Sequence, residues 1–137
     1  MDMSGKEDIK NLLKRSGYSS TAIEYFIEKV NVGKIEDHDA YFVYTGPCGD
    51  TMEIFLTIEP GSKVIKDAKF QAIGCAGAFA SGSAITEMIK GKTVEEAKKI
   101  EEEDIIDWLG DIPKQKIHCV CLAKKTLKFA LDEYKGG

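Results

Sequence analysis

The feature that most constrains the fold is a set of three apolar segments between residues 40 and 73, joined by short links. The middle segment, TMEIFLTI from Thr51, alternates apolar side chains with polar or aromatic ones, which is typical of a strand with one buried face. AYFVYT, from Ala40, and VIKDAKFQAI, from Val64, flank it and are rich in branched and aromatic residues. Because the links are short, we predict an antiparallel meander of about three strands.

The residues on both sides of the meander carry helical periodicity. EDIKNLLKR, from Glu7, and SSTAIEYFIEKV, from Ser19, predict an N-terminal arm of two short helices. Further helical segments start at Ala76, Thr93, Glu102 and His118, the last of them running to Tyr134. The predicted fold class is therefore α+β, with a small antiparallel sheet packed against several helices and a helical arm at the N-terminus.

The length and net charge of the chain limit the number of domains and the kinds of partner that we expect. A chain of 137 residues suits one domain with a substantial core, so we expect a single domain over residues 1–137. The net charge of −4 provides no basic field for nucleic acid. No apolar run reaches the length of a membrane span, and the N-terminus lacks the apolar region of a signal peptide. We therefore expect a cytoplasmic protein without nucleic-acid or membrane partners.

Four cysteines, Cys48, Cys75, Cys119 and Cys121, require an explanation. A disulfide framework is typical of small secreted chains, and this sequence shows no export signal. In a reducing compartment, the remaining explanations are metal binding, catalysis, or burial as small apolar side chains. The residues next to each cysteine indicate which of these three explanations applies to it.

The first two cysteines each follow a predicted strand. Cys48 lies in GPCGDTM, a tight turn between two strands, and Asp50 comes two residues later. Turns at strand ends hold functional groups on a rigid scaffold. Cys75 lies in AIGCAGAF, where a strand meets a helix whose N-terminus carries a partial positive charge. That charge stabilises a thiolate, which is the form that binds metal or attacks an electrophile.

The other two cysteines lie in KIHCVCLAKK, which begins at Lys116. Residues in a helix advance by about 100° each, so these two cysteines point to nearly opposite sides. Cys119 falls on the apolar stripe, and Cys121 falls among the charged residues of the polar face. We interpret Cys119 as the functional sulfur, Cys121 as a bystander, and His118 as a side chain able to reach the same site.

The side chains collected in this way suit a tetrahedral Zn²⁺ ion or an iron–sulfur cluster. The candidate metal ligands are Cys48, Asp50, Cys75, His118 and Cys119. They lack the paired Cys-x-x-Cys spacing of a closed structural zinc site, so the fold must assemble them. The residues alone leave two other hypotheses open: a zinc-stabilised structural domain, and a sulfur-transfer protein with a reactive Cys119 activated by His118.

The segments GPCGDTM, GCAGAFASGSAITEMIKGKTVEEA and KIHCVCLA resemble the iron–sulfur cluster scaffold proteins of the NifU N-terminal and IscU type. The resemblance runs from about Gly33 to Tyr134, with the motifs in the order and spacing of that family. It implies a scaffold core at residues 34–137 behind the helical arm at residues 1–33. It also implies a binding and transfer protein and not an enzyme.

The resemblance further implies how such a scaffold works. A cysteine desulfurase delivers sulfur, iron joins it in a [2Fe–2S] or [4Fe–4S] cluster, and the cluster passes to apo iron–sulfur proteins. Hsp70 and J-type chaperones often assist, and a cluster shared between the subunits of a homo-oligomer is compatible with this family. Zn²⁺ can occupy the same site in isolated members.

By position, the resemblance implies that the cluster-binding residues are Cys48, Asp50, Cys75 and Cys119, with His118 as a neighbour or alternating ligand. Asp50 would keep the cluster labile, since a carboxylate is a poorer ligand than a thiolate for this iron. Cys119 would accept the persulfide, because a helix start beside His118 suits a reactive thiolate.

The sequence departs from the family at several places. Ala76 stands where a glycine is usual, and Cys121 is an additional cysteine. The segment before the histidine is usually Leu-Pro-Pro-Val-Lys, whereas here it is IPKQK, which keeps only Pro113. This change counts against recognition by the Hsp70-type chaperone that reads that segment.

Overall fold

The computed structural model describes residues 3–47 and 49–134. Across these residues, two helices are followed by three antiparallel strands and then by four more helices. The elements are α1 (Met3–Arg15), α2 (Ser20–Glu28), β1 (Ala40–Thr45), β2 (Thr51–Ile58), β3 (Ile65–Ile73), α3 (Ala76–Ile89), α4 (Val94–Lys98), α5 (Glu102–Leu109) and α6 (Ile117–Glu133). This order confirms the predicted α+β class and the arm of two helices.

The sheet is the predicted meander, with strand order β1, β2, β3 within the described residues. The alternation of β2 holds, since its four inward side chains are almost completely buried: Met52, Ile54, Leu56 and Ile58. The opposite face of β2 is partly covered as well. Phe55 is buried there because the rings of Tyr41 and His38 pack against it.

Helix α3 packs on β3 through small residues that bring the helix close to the sheet. Gly82 faces the ring of Phe70, which is fully buried, and a Cβ at position 82 would overlap that ring. On the same helix, the Ser83 hydroxyl donates a 2.7 Å hydrogen bond to the carbonyl of Val30. The small residues of α3 thus hold the arm, the helix and the sheet together.

Helix α6 packs against the sheet and against α3. The apolar stripe that carries Cys119 is buried, and its members include Leu122, Ala123, Leu127, Ala130 and Leu131. The predicted start at His118 is one residue late. A 3₁₀ turn at Lys114–Lys116 leads directly into the helix at Ile117.

The arm departs from its prediction in two respects. Helix α1 begins at Met3, four residues before the predicted start at Glu7. Its apolar stripe is only partly buried. Leu13 packs against the core, whereas Ile9 and Leu12 remain 43% and 57% exposed. The second helix is bound more firmly, and its Ala22 and Ile23 belong to the core.

A helix that spans a bilayer needs about 20 apolar residues. Within the described stretches, no helix combines that length with that apolar character.

The contact between Gly82 and Phe70 predicts a large effect from a single methyl group. In Gly82→Ala, the new Cβ overlaps a ring that has no room to move, so α3 must shift from the sheet. We expect a loss of about 1–3 kcal/mol in the free energy of unfolding, measured by urea denaturation. Gly61→Ala is the control, because a Cβ at position 61 meets no atom within 4 Å. Equal stability of the two variants would contradict this packing.

Candidate metal centre

The register of the sheet brings two of the predicted site residues together. Thr51, the first residue of β2, pairs with Ile73, the last residue of β3. Asp50 precedes β2, and Cys75 follows β3 after one glycine. Both side chains therefore lie at the same end of the sheet, and the Cys75 sulfur is 3.9 Å from Oδ2 of Asp50.

The turn that carries Asp50 is held by backbone hydrogen bonds. The N–H of Gly46 donates to the carbonyl of Asp50 at 2.9 Å, and the N–H of Gly49 donates to the carbonyl of Gly46 at 3.0 Å. Gly49 has a φ of +94°, a left-handed conformation that favours glycine. Cys48, the remaining candidate ligand, lies outside the described residues.

The first turn of α6 supplies the other two site residues. The Cys119 sulfur is 3.6 Å from the Cys75 sulfur and 3.6 Å from Nε2 of His118. Asp50, His118 and Cys119 each contribute one possible ligand atom, and these three atoms lie within 4.8 Å of one another. The structure thus brings together four of the five predicted ligands, from three separate parts of the chain.

The spacing of the two sulfurs fits a shared metal ion. Two thiolates bound to one tetrahedral Zn²⁺, each about 2.3 Å from the metal, are about 3.8 Å apart. The observed 3.6 Å between Cys75 and Cys119 is close to that separation. It is far longer than the bond of about 2.05 Å in a disulfide, and both cysteines are free. Carboxylate, imidazole and thiolate together suit Zn²⁺ or iron.

The site has a buried side and an open side. Cys119 is 0% exposed, whereas Asp50 and Cys75 are half-buried and His118 is exposed. Burial and the adjacent Cys75 raise the pKa of the Cys119 thiol, and Lys116 offsets only part of that effect. Burial therefore opposes the activation that the helix start and His118 were expected to give this thiol.

Cys121 lies apart from this group, as the helical geometry predicted. It is half-buried, and its pKa is raised by burial and by the neighbouring carboxylate of Glu102 on α5. Cys121 is not among the residues whose ligand atoms converge, although it lines a neighbouring cavity with Gly46, Pro47 and His118.

Tyr18 reaches the site from the arm and was not singled out in the sequence. Its side chain is 7% exposed, and burial together with Cys75 and Cys119 raises its pKa to about 12. The sequence offers little signal for this residue, because a tyrosine between two short helices looks like ordinary packing. The packing of the arm against the rest of the protein places the Tyr18 side chain near Cys75 and Cys119.

The close approach of Asp50 to Gly74 predicts how the carboxylate can be displaced. A Cβ at position 74 would lie 2.8 Å from both Cγ and Oδ2 of Asp50, so Gly74→Ala must push the carboxylate away. We expect the affinity for Zn²⁺ to fall by about 10–100-fold, as it does when a metal ligand loses its orientation. Competition with a chromophoric chelator measures this, and Gly61→Ala serves again as the control. An unchanged affinity would exclude Asp50 from the metal site.

A family model and several curated proteins are similar to this chain over most of its length. The family model described as NifU-like N terminal domain matches residues 17–137. Two iron–sulfur cluster assembly scaffold proteins named IscU, from Archaeoglobus fulgidus, are 45% identical over 118 residues, covering 85% of this chain and 76% of theirs. The nitrogen fixation protein NifU of Trichormus azollae is 40% identical over 126 residues, covering 87% of this chain and 42% of that one.

A solved structure shows the same fold. A crystal structure of a candidate iron–sulfur cluster assembly scaffold for the SUF system, from Fervidobacterium islandicum, superposes with a TM-score of 0.68 at 29% identity. The match covers 83% of this chain and 96% of that one.

Proposed function

Because the chain belongs to the family of NifU-like N-terminal domains, we propose that it is a scaffold on which iron–sulfur clusters are assembled and then transferred to apo-proteins. The observation that supports this most directly is the convergence of Asp50, Cys75 and Cys119 at one end of the sheet. In this proposal the cluster is a substrate of the scaffold, and the protein is a binding and transfer module that is not itself an enzyme.

The ligand set we propose is Cys48, Asp50, Cys75 and Cys119, with His118 as an alternating ligand. Cys75 and Cys119 form its inner part, since their sulfurs are 3.6 Å apart and one of them is fully buried. Asp50 and His118 lie on the open side. A carboxylate holds this iron less firmly than a thiolate does. Asp50 would therefore keep the cluster exchangeable.

The same arrangement can receive sulfur. The Cys119 thiolate would attack the terminal sulfur of a desulfurase cysteine persulfide. A new S–S bond forms at Cys119, the bond within the donor persulfide breaks, and the desulfurase thiolate leaves. Two electrons from an external one-electron carrier then reduce the bound sulfur to sulfide. Because Cys119 is buried and its pKa is raised, we propose that contact with the desulfurase must expose and deprotonate it first.

The partners in this proposal are a cysteine desulfurase as sulfur donor and apo iron–sulfur proteins as acceptors. The last three residues of IPKQK form the 3₁₀ turn Lys114–Lys116, so a chaperone that bound there would lie next to the first turn of α6. Free thiols at the site require a reducing compartment, and we propose the cytoplasm. [2Fe–2S] and [4Fe–4S] clusters remain the two candidate products.

Anaerobic reconstitution with ferrous iron and sulfide tests the proposal. We expect the wild type to develop broad sulfur-to-iron charge-transfer bands in the visible spectrum. Cys75→Ser removes one of the two close sulfurs, so its bands should be lost or shifted. Cys121→Ser is the matched control, because it removes a half-buried thiol of α6 that faces Glu102; its spectrum should equal that of the wild type.

Two results would contradict the proposal. Equal bands in Cys75→Ser and the wild type would remove Cys75 from the ligand set. A wild type that develops no bands, holds one tight zinc ion and unfolds when a chelator removes it would support the structural-zinc hypothesis. The spectrum also distinguishes the two cluster types.

A further inference from the structure

Tyr18 occupies a point where three parts of the molecule meet. A Cβ placed on Gly77, in the first turn of α3, would lie 3.3 Å from the hydroxyl oxygen of Tyr18 and 3.1 Å from the sulfur of Cys119. The same position is 3.3 Å from Cβ of Lys116, just before α6. The absence of a side chain at Gly77 therefore leaves the space between the phenol oxygen and the sulfur open.

The backbone of Tyr18 is fixed from both sides and its side chain is packed in the core, so the ring is held in place before any metal binds. Its N–H donates to the carbonyl of Leu13 at the end of α1, at 3.1 Å. The next residue, Ser19, caps α2 by accepting from the N–H of Ala22 at 3.0 Å, and its own hydroxyl donates to the carbonyl of Leu109. A side chain held in this way loses little freedom when it makes a further contact.

The chemistry of the phenol suits the sulfurs beside it. A tyrosine hydroxyl is protonated at neutral pH and donates one hydrogen bond. A thiolate bound to metal can accept such a bond, and hydrogen bonds to ligating sulfurs tune iron–sulfur sites. A buried anionic sulfur without a donor costs more free energy than one that accepts a hydrogen bond.

We propose that Tyr18 is a positioning residue whose hydroxyl donates a hydrogen bond to the metal-bound sulfur of Cys119, so that the N-terminal arm takes part in the metal site. The inference rests on the proposed function, since it requires that Cys119 binds metal. It also gives the arm a role beyond packing. Any partner that pulls the arm away would remove a stabilising contact from the bound cluster.

Co²⁺ tests the proposal, because the energy of its sulfur-to-metal charge-transfer band responds to hydrogen bonds at the sulfur. Tyr18→Phe keeps the ring and removes the hydroxyl. We expect its band to move to lower energy than that of the wild type, because the sulfur loses a donor and becomes more electron-rich. The dissociation rate of Co²⁺, measured with a chelator in excess, should rise several-fold.

The matched control is Tyr25→Phe, which removes another hydroxyl from the arm. Tyr25 accepts a 2.8 Å hydrogen bond from Nε1 of Trp108, so a change that comes only from a weakened arm would appear in this variant as well. A band at the same energy in Tyr18→Phe and the wild type would overturn the proposal and leave the ligand set intact. A wild type that binds Co²⁺ with no sulfur charge-transfer band would overturn both.

A second measurement needs no variant and covers the case in which Tyr18→Phe fails to fold. In the wild type loaded with ¹¹³Cd²⁺, a hydroxyl proton bonded to a ligating sulfur should show scalar coupling to the metal in a proton–cadmium correlation spectrum. A cross-peak assigned to the Tyr18 hydroxyl would support the proposal. Cross-peaks from the cysteine protons alone would overturn it.

Discussion

The contact between the first turns of α3 and α6 is the one on which the site depends. Gly77 allows these turns to approach closely, and the sulfurs of Cys75 and Cys119 then lie 3.6 Å apart. The position of α3 is in turn set by its close packing on the sheet, where Gly82 contacts the ring of Phe70. Two cysteines that are far apart in the sequence thus share one site because two helices start next to each other at one end of the sheet.

The electrostatics of the site match a protein that must both bind and release its cargo. The buried Cys119 thiol has a raised pKa, so the metal-free site favours the neutral form and metal must displace a proton to bind there. Once a metal is bound, its positive charge stabilises the thiolate in the same low-dielectric surroundings. In the proposed scaffold, Asp50 and His118, which lie on the open side, would supply the positions where ligands exchange with solvent or with a partner.

Much of the fold could be predicted because the strong patterns were local. The alternation of β2 and the apolar stripe of α6 were both read correctly, since each reflects a single buried face. The opposite directions of Cys119 and Cys121 followed from helical geometry alone. The start of α1 at Met3 and the exposure of Leu12 could not be predicted in this way. They depend on which side chains of the arm contact the rest of the protein, and a local pattern does not record that.

The candidate site was predicted in part. The chemistry around Asp50, Cys75 and Cys119 pointed to metal, but only the register of β2 and β3 shows that Asp50 and Cys75 lie together. The raised pKa of Cys119 was missed, since burial cannot be read from a helix start. Tyr18 was missed because its approach to the sulfurs depends on the missing side chain of Gly77, a tertiary feature that no local pattern records.

The most direct test of the central claim is transfer of the cluster itself. The loaded protein is mixed with an apo-ferredoxin in the presence of a chelator that captures free iron, and circular dichroism follows the cluster. We predict that the ferredoxin acquires its cluster despite the chelator, and that Asp50→Cys transfers more slowly because a thiolate holds the iron more firmly than a carboxylate does. Transfer that the chelator abolishes would mean that the cluster falls apart before it is delivered, and would contradict the account.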